Sequence, residues 1–267
     1  MFWKILVAIV LVLAIYMTAV EPNWMKATEQ ELIVTKLENP LRVLFLSDLQ
    51  IREKSGYREN WILSQLTKQK VDLIVTTGDL FDEPAGMPAA VEFLDRIANH
   101  APTFAIIGNW EHWSRADLEK YREDLEERGV PLLRNQNRVF SWQGQQISIL
   151  GVDDPGQHLH NLPLAMKGVP PASLKILLAH APIIFPLAET NQIDLVFAGH
   201  THGGQVRLPF NDPLFLPPGC GPYWYGTYKK NESTMLVTSG VGTSILPIRF
   251  WCRPEIVFLA LKPATVR

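Results

Sequence analysis

The chain has 267 residues, 47% of them hydrophobic, with 25 basic and 27 acidic side chains and a formal net charge of −2. That composition fits one large domain with a substantial core and excludes a disordered or collagen-like chain. It supplies no bulk attraction to a polyanion, so no nucleic-acid partner is expected.

No charge interrupts Ile5 to Val20, and Phe2 and Trp3 extend the apolar run past Lys4. The run lies near the ~17-residue lower limit for a membrane span and exceeds the ~7–15 residues usual in a signal peptide. Thr18-Ala-Val-Glu21 is a poor cleavage site, so residues 1–22 are expected to stay as an N-terminal transmembrane anchor. A removed signal is the alternative. Lys4 and the terminal amine, set against mixed charges after Val20, favour an inside N-terminus only slightly, which leaves the side of the membrane open.

A polar connector is expected over residues 23–40 and the main domain over 41–267. The domain opens with apolar strand, polar loop and helix, repeated. Leu41 to Leu46 reads as a buried strand ending at Ser47-Asp48-Leu-Gln50, and Tyr57 to Lys70 has helical spacing. Val71 to Val75 is the next strand, ending in Thr77-Gly-Asp79-Leu-Phe-Asp82. A helix over Pro88 to Ala98 leads to a strand over Thr103 to Ile107, which ends in Gly108-Asn109-Trp110-Glu111-His112. A charged helix follows, about Arg115 to Arg128, with both signs interspersed as on a solvated face.

The second half is richer in strands. Arg138 to Trp142 and Gln146 to Val152 resemble a hairpin around Gln143-Gly144. Leu174 to Leu178 ends in Ala179-His180, and Asp194 to Ala198 ends in Gly199-His200-Thr-His202-Gly-Gly204. Met235 to Thr238 and Glu255 to Leu261 are late strands, with a proline-, glycine- and aromatic-rich loop over 209–230 before them. Within that loop Tyr223, Trp224, Tyr225, Tyr228, Lys229 and Lys230 form either a packed loop or an aromatic-basic lip that touches lipid. Cys252, inside an apolar segment, reads as a buried thiol; neither it nor Cys220 has metal-ligand spacing. His158 and His160 form an isolated His-x-His expected in a loop, and His100 is expected at a helix end.

Five apolar strands thus end in Asp48, Asp79, Asn109, His180 and His200/His202. Open α/β sheets bind ligands beyond the carboxyl ends of their strands. One polar residue there is ordinary capping, but five in succession carrying only carboxylate, amide and imidazole point to a metal site. Oxygen and nitrogen donors without thiolate suit manganese, iron or zinc.

The series SDLQ, GDLFDE, GNWEH, LAHAP and GHTHGG resembles the calcineurin-like metallophosphoesterase family, and the likeness runs from about Leu41 to the C-terminus. The closing GTSILPIRFWCRPEIVFLAL, with the N-terminal span, is similar to its membrane-associated bacterial phosphohydrolase branch. The resemblance implies a four-layer αββα sandwich, two mixed β-sheets flanked by helices. It implies two divalent ions, manganese first with iron or zinc as alternatives, which activate water for in-line attack on phosphorus. By position, Asp79 would bridge the ions, Asp48 and His202 would hold one, and Asn109, His180 and His200 the other. The implied substrate is a phosphoester or pyrophosphate on a small molecule or a lipid, such as UDP-2,3-diacylglucosamine.

Two positions depart from the family pattern. Gln50 stands where a histidine ligand is usual; its amide oxygen could ligate or hold a water, as the weaker donor. Trp110 stands where a histidine usually assists proton transfer. His112 either substitutes for it as a catalytic group or is a surface histidine. Asp82 and Glu111 match acidic positions that orient ligands, or are simply acids at helix starts. Gln50 and Trp110 also support a rival reading, a non-catalytic binding or scaffold protein on the same fold.

Overall fold

The computed structural model describes residues 1–208 and 212–264. Helix α1 (Phe2–Ile15) runs on through a π-turn over Tyr16–Val20 and a 3-10 turn over Glu21–Asn23. Together they form one apolar helical stretch, Phe2–Asn23, long enough to cross a membrane, and almost all of α1 is exposed.

Strand β1 (Lys26–Val34) follows at once. Half of the segment expected as a connector over 23–40 is therefore an edge strand. Its polar sequence hides it, because one side faces solvent and the other is only half-buried. The chain continues through β2 (Leu41–Leu46), α2 (Tyr57–Leu66), β3 (Leu73–Thr76), α3 (Met87–Ala98) and β4 (Thr103–Ala105). Short α4 (Asn109–Trp113) and charged α5 (Leu118–Glu126) complete the first half. The hairpin β5 (Gln136–Trp142) and β6 (Gln145–Gly151) turns at Gln143-Gly144, both at positive φ. That backbone suits a tight two-residue hairpin. Then come α6 (Leu162–Ala165), β7 (Leu174–Ala179), α7 (Phe185–Thr190) and β8 (Leu195–Ala198). The chain closes with β9 (Gly226–Lys230), β10 (Ser233–Val237) and β11 (Glu255–Pro263). Strand β9 lies inside the expected long loop, of which Pro209, Phe210 and Asn211 fall outside the described residues.

One sheet has the order β1-β11-β2-β3-β4 and the other β5-β6-β7-β8-β10-β9. Strands β2, β3 and β4 are parallel, as are β6, β7, β8 and β10; β11 runs antiparallel to β2. Side chains alternate between the two faces of a strand. Val43 and Phe45 of β2 accordingly face the other sheet and pack with Ile176, Leu178 and Phe197, the Phe45 and Phe197 rings lying 4.8 Å apart. Leu44 and Leu46 face the opposite way, onto Ile62 of α2 and Phe93 and Leu94 of α3. On the far side, Leu177 and Val196 pack on Leu162 and Phe185. The result is four layers, helices outside and two sheets within. Strands covered on both faces read as continuous apolar runs, which is why β2, β3, β7 and β8 are legible in the sequence.

The edge strand is tied down at its start. Lys26 pairs in register with Glu255, and its Nζ lies 2.8 Å from Glu255 Oε2. Glu255 also accepts from Thr28 Oγ1 at 2.8 Å, Tyr225 Oη at 3.0 Å and the Ser239 N–H at 3.2 Å. Burial alone would raise its pKa, but Lys26 and these donors hold it below the ordinary carboxylate value. A depressed folded-state pKa contributes stability that is complete above the unfolded value of about 4.3 and is lost as pH falls through the folded value. Melting of the chain between pH 7 and pH 3 should therefore show an acid-side loss that is smaller in Glu255→Gln.

Candidate metal centre

The carboxyl ends of the two sheets meet at one cleft. From the first sheet, β2 delivers Asp48 and Gln50, β3 delivers Asp79, and β4 leads to Asn109 at the start of α4. From the second, β7 delivers His180 and β8 delivers His200 and His202. All seven residues are buried.

Two donor groups result, and they share one residue. Asp79, His180 and His200 offer ligand atoms within 4.8 Å of one another, as do Asp48, Asp79 and His202. In the first group His180 Nε2 lies 2.9 Å from Asn109 Oδ1, 3.0 Å from His200 Nδ1 and 3.2 Å from Asp79 Oδ2. In the second, His202 Nε2 is 3.5 Å from Asp48 Oδ1. The outward nitrogens of the first pair are already engaged. His180 Nδ1 meets the Thr77 carbonyl at 2.7 Å, and His200 Nε2 meets the Pro218 carbonyl at 2.7 Å. Carbonyls only accept, so each ring donates outward and turns its other nitrogen toward the centre. These convergent nitrogen and oxygen donors fit a cation, which would take the place of the inward His180 proton.

Three further features fit the same conclusion. Both amide atoms of Gln50 and Nδ1 of His202 are buried without a partner among the described residues. Orphaned polar atoms are costly in a core and are expected where a ligand completes them. Asp48, Gln50, Asp79, His200 and His202 all have positive φ, between 47° and 69°. Such backbones cost of order 1–3 kcal/mol each and cluster at functional sites. Gly108 supplies the remaining space, since a Cβ there would collide with the Asp79 carboxylate and the His180 ring.

The charges are arranged accordingly. Burial would raise the Asp79 pKa, yet His180 beside it holds it low. Burial would lower the His180 pKa, but Asp79 raises it well above the usual imidazole range. Burial brings His202 down to about 4 and, with His180, depresses His200. Glu111 sits behind the centre, fully buried. Its Oε2 accepts from the N–H of Gly108 at 2.8 Å and of Asp79 at 2.9 Å, and its Oε1 from that of Leu80 at 2.5 Å. It thereby ties the β3 and β4 loops together. Burial and the neighbouring Asp79 raise its pKa to about 7.

A calcineurin-like phosphoesterase profile matches residues 41–204, the span from β2 through both His200 and His202. The chain belongs to that family. The phosphoesterase is 33% identical to phosphodiesterase YaeI of Escherichia coli K12 over 257 residues, 92% of each chain. It is 32% identical to a transmembrane protein with metallophosphoesterase domain from Danio rerio, covering 95% of this chain and 61% of that one. Its fold is shared with TT1561 of Thermus thermophilus at a TM-score of 0.50 and 14% identity, over 75% of this chain and 90% of that one. The chain thus belongs to a family of metal-dependent hydrolases and carries two convergent donor groups that share Asp79.

The remaining candidates are placed differently. Trp110 borders the cleft; its N–H donates to Asp79 Oδ1 at 2.9 Å and its Nε1–H to Ser244 Oγ at 3.2 Å. His112 lies on the other side of α4, with Nε2 2.7 Å from Asp153 Oδ1. Arg134 Nε holds the second Asp153 oxygen at 2.6 Å. Burial would raise the Asp153 pKa, but His112 and Arg134 keep it low. Of the two readings of His112, a stand-in catalytic group does not match its placement: the ring is hydrogen-bonded to Asp153 and does not line the cleft. Asp82 is part-exposed, and no hydrogen bond joins it to the centre among the described residues. A direct catalytic role finds no contact there, and orientation of the ligand loops falls to Glu111.

Above the centre is a cavity of about 330 Å³. Asp79, Asn109, His200 and His202 form its floor, and Trp110, Trp113, Phe215 and Ile245 its apolar walls. The last three were not foreseen, because no local pattern marks a residue as the wall of a distant site. Tyr223 packs on Phe185 and Tyr228, and Tyr225 hydrogen-bonds Glu255, so the aromatic segment is packed onto the fold, its end as strand β9. Cys220 and Cys252 are free, buried thiols, as expected for Cys252.

Glu111→Gln replaces an accepting oxygen with a donor that faces backbone N–H groups. Residues that orient ligands typically change metal affinity by about 10–100-fold. A loss of that size is expected in manganese titration against a chromophoric chelator.

Proposed function

We infer that Asp48, Gln50, Asp79, Asn109, His180, His200 and His202 hold two divalent ions, manganese first among the candidates, and that the centre hydrolyses a phosphodiester or diphosphate at a membrane surface. The observation that carries this reading is the pair of donor groups sharing Asp79. A shared carboxylate suits two ions about 3.5–4 Å apart, which together activate water and stabilise charge on the phosphoryl oxygens.

The protein's own part is orientation. Thr77 and Pro218 set the imidazole tautomers, Glu111 fixes the Asp79 loop, and the strained backbones aim side chains from both sheets at one point. The apolar walls exclude water around the bound phosphate and accept a hydrophobic substituent. Tryptophan at position 110 supplies no titrating nitrogen, so a leaving group that departs without a donated proton is favoured. The similarity to an Escherichia coli phosphodiesterase supports a diester. The walls and the apolar helix support a lipid-linked one, of which UDP-2,3-diacylglucosamine is a chemistry to assay. A non-catalytic binding protein is the second reading, favoured by Trp110.

The test is hydrolysis of bis-p-nitrophenyl phosphate and p-nitrophenyl phosphate by the full chain in detergent, after chelation and re-addition of manganese. Restored turnover with diester preferred is expected. Tight metal binding without turnover of either ester or of UDP-2,3-diacylglucosamine would favour the binding protein.

A further inference from the structure

The apolar walls of the cavity continue outward into a region that makes contact with the N-terminal helix. Ile245 is 81% exposed and Phe215 66%, although both border the cavity. Beyond Ile245 the same segment exposes Leu246 (57%) and Trp251 (54%). The sequence is uncharged from Pro213 to Tyr228 and again from Ser233 to Ile248. Large exposed apolar groups concentrated around one opening mark an interaction surface.

The end of the helix is fastened to this segment. The Arg249 N–H donates to the Met17 carbonyl at 2.9 Å, and the Tyr16 and Phe250 rings meet edge to face at 6.3 Å. The Glu21 carboxylate is buried and accepts the N–H groups of Trp251 at 3.0 Å and Cys252 at 2.5 Å. Trp24, just past the helix, stacks under Arg253 at 4.2 Å. A helix that enters a bilayer therefore brings residues 245–251 to the level where it leaves the hydrocarbon, where aromatic and apolar side chains partition favourably.

We propose that Phe215, Ile245, Leu246 and Trp251 form a collar that inserts into the lipid bilayer and holds the mouth of the metal-centre cavity at headgroup level. The partner is the lipid surface itself. The helix supplies the anchor and the collar sets the orientation. Phosphate-bearing headgroups then reach the centre without their acyl chains leaving the membrane. The proposal rests on the reading of residues 2–23 as a membrane span.

The test is fluorescence quenching of the full chain in phosphatidylcholine vesicles containing spin-labelled lipid. Cysteines carrying a small fluorophore, introduced one at a time beside the buried Cys220 and Cys252, replace Leu11 in the helix, Ile245 in the collar and Val139 on the exposed edge strand β5. Quenching at positions 11 and 245 with none at 139 is expected. Quenching at 11 alone overturns the collar while leaving the anchor intact, and absence of quenching at 11 overturns the anchor and the collar with it. The double variant Leu246→Glu/Trp251→Glu is expected to weaken quenching at 245 by about tenfold, given the apolar area withdrawn from lipid. It should leave quenching at 11 and hydrolysis of soluble bis-p-nitrophenyl phosphate unchanged. Undiminished quenching at 245 in that variant would overturn the role of the collar residues.

Discussion

Asp79→Asn is expected to lower diester hydrolysis by on the order of 10³-fold, about 4 kcal/mol of transition-state stabilisation. Asp79 is the residue common to both donor groups, so removing its charge weakens both ion sites together. Asparagine tolerates the φ of 53° found there and keeps an oxygen for the Trp110 N–H. The Glu111 contact to the backbone of residue 79 is also untouched. Backbone collapse is therefore not the expected cause of the loss. Metal content should fall below two ions per chain, and thermal stabilisation by added manganese should shrink. For one site, free metal at 100 times its Kd adds about 2.7 kcal/mol to the stability of a protein that binds it only when folded. A variant that retains both full metal content and full turnover would remove Asp79 from the centre.

The second large effect is expected at Arg249, which no part of the function foresaw. It is among the largest fully buried side chains, and its guanidinium is satisfied by carbonyls. Nε donates to Gly242 at 3.0 Å, Nη1 to Cys252 at 3.0 Å, and Nη2 to Gly242 at 2.6 Å, Ser239 at 2.9 Å and Gly240 at 3.2 Å. Burial lowers its pKa, but arginine stays protonated in proteins. Three of these carbonyls, of Ser239, Gly240 and Gly242, belong to the segment that closes over the first strand loop. There the Val241 N–H donates to the Ser47 carbonyl at 3.1 Å and the Gly242 N–H to the Asp48 carbonyl at 2.5 Å.

Arg249→Met would leave these carbonyls buried without a donor. A buried acceptor left unsatisfied costs about 1–3 kcal/mol, and a loss of at least that size is expected from denaturant unfolding of the full chain in micelles. Arg249→Lys should recover little, because an ammonium cannot reproduce the planar fork. Metal affinity should fall in both variants, since the Asp48 loop loses its cover. A loss under about 1 kcal/mol in either variant would show that water replaces the guanidinium.

Much of the architecture is legible in the chain itself. Strands covered on both faces, such as β2 and β8, must be apolar throughout, and the polar residue that follows each one marks where the sheet stops. Asp48, Asp79, Asn109, His180, His200 and His202 stand out for that reason, and family membership follows from their order. Strand β1 escaped because an edge strand half in water has no apolar run to display, and β9 because aromatic and glycine residues disguise a short edge strand as a loop. Whether His112 faces the cleft or Asp153, how the imidazole protons are directed by Thr77 and Pro218, and which carbonyls surround Arg249 were decided only by tertiary structure. Local sequence reports the burial that each element requires. The pairing of groups tens of residues apart depends on how two sheets and their loops pack, and no spacing along the chain encodes it.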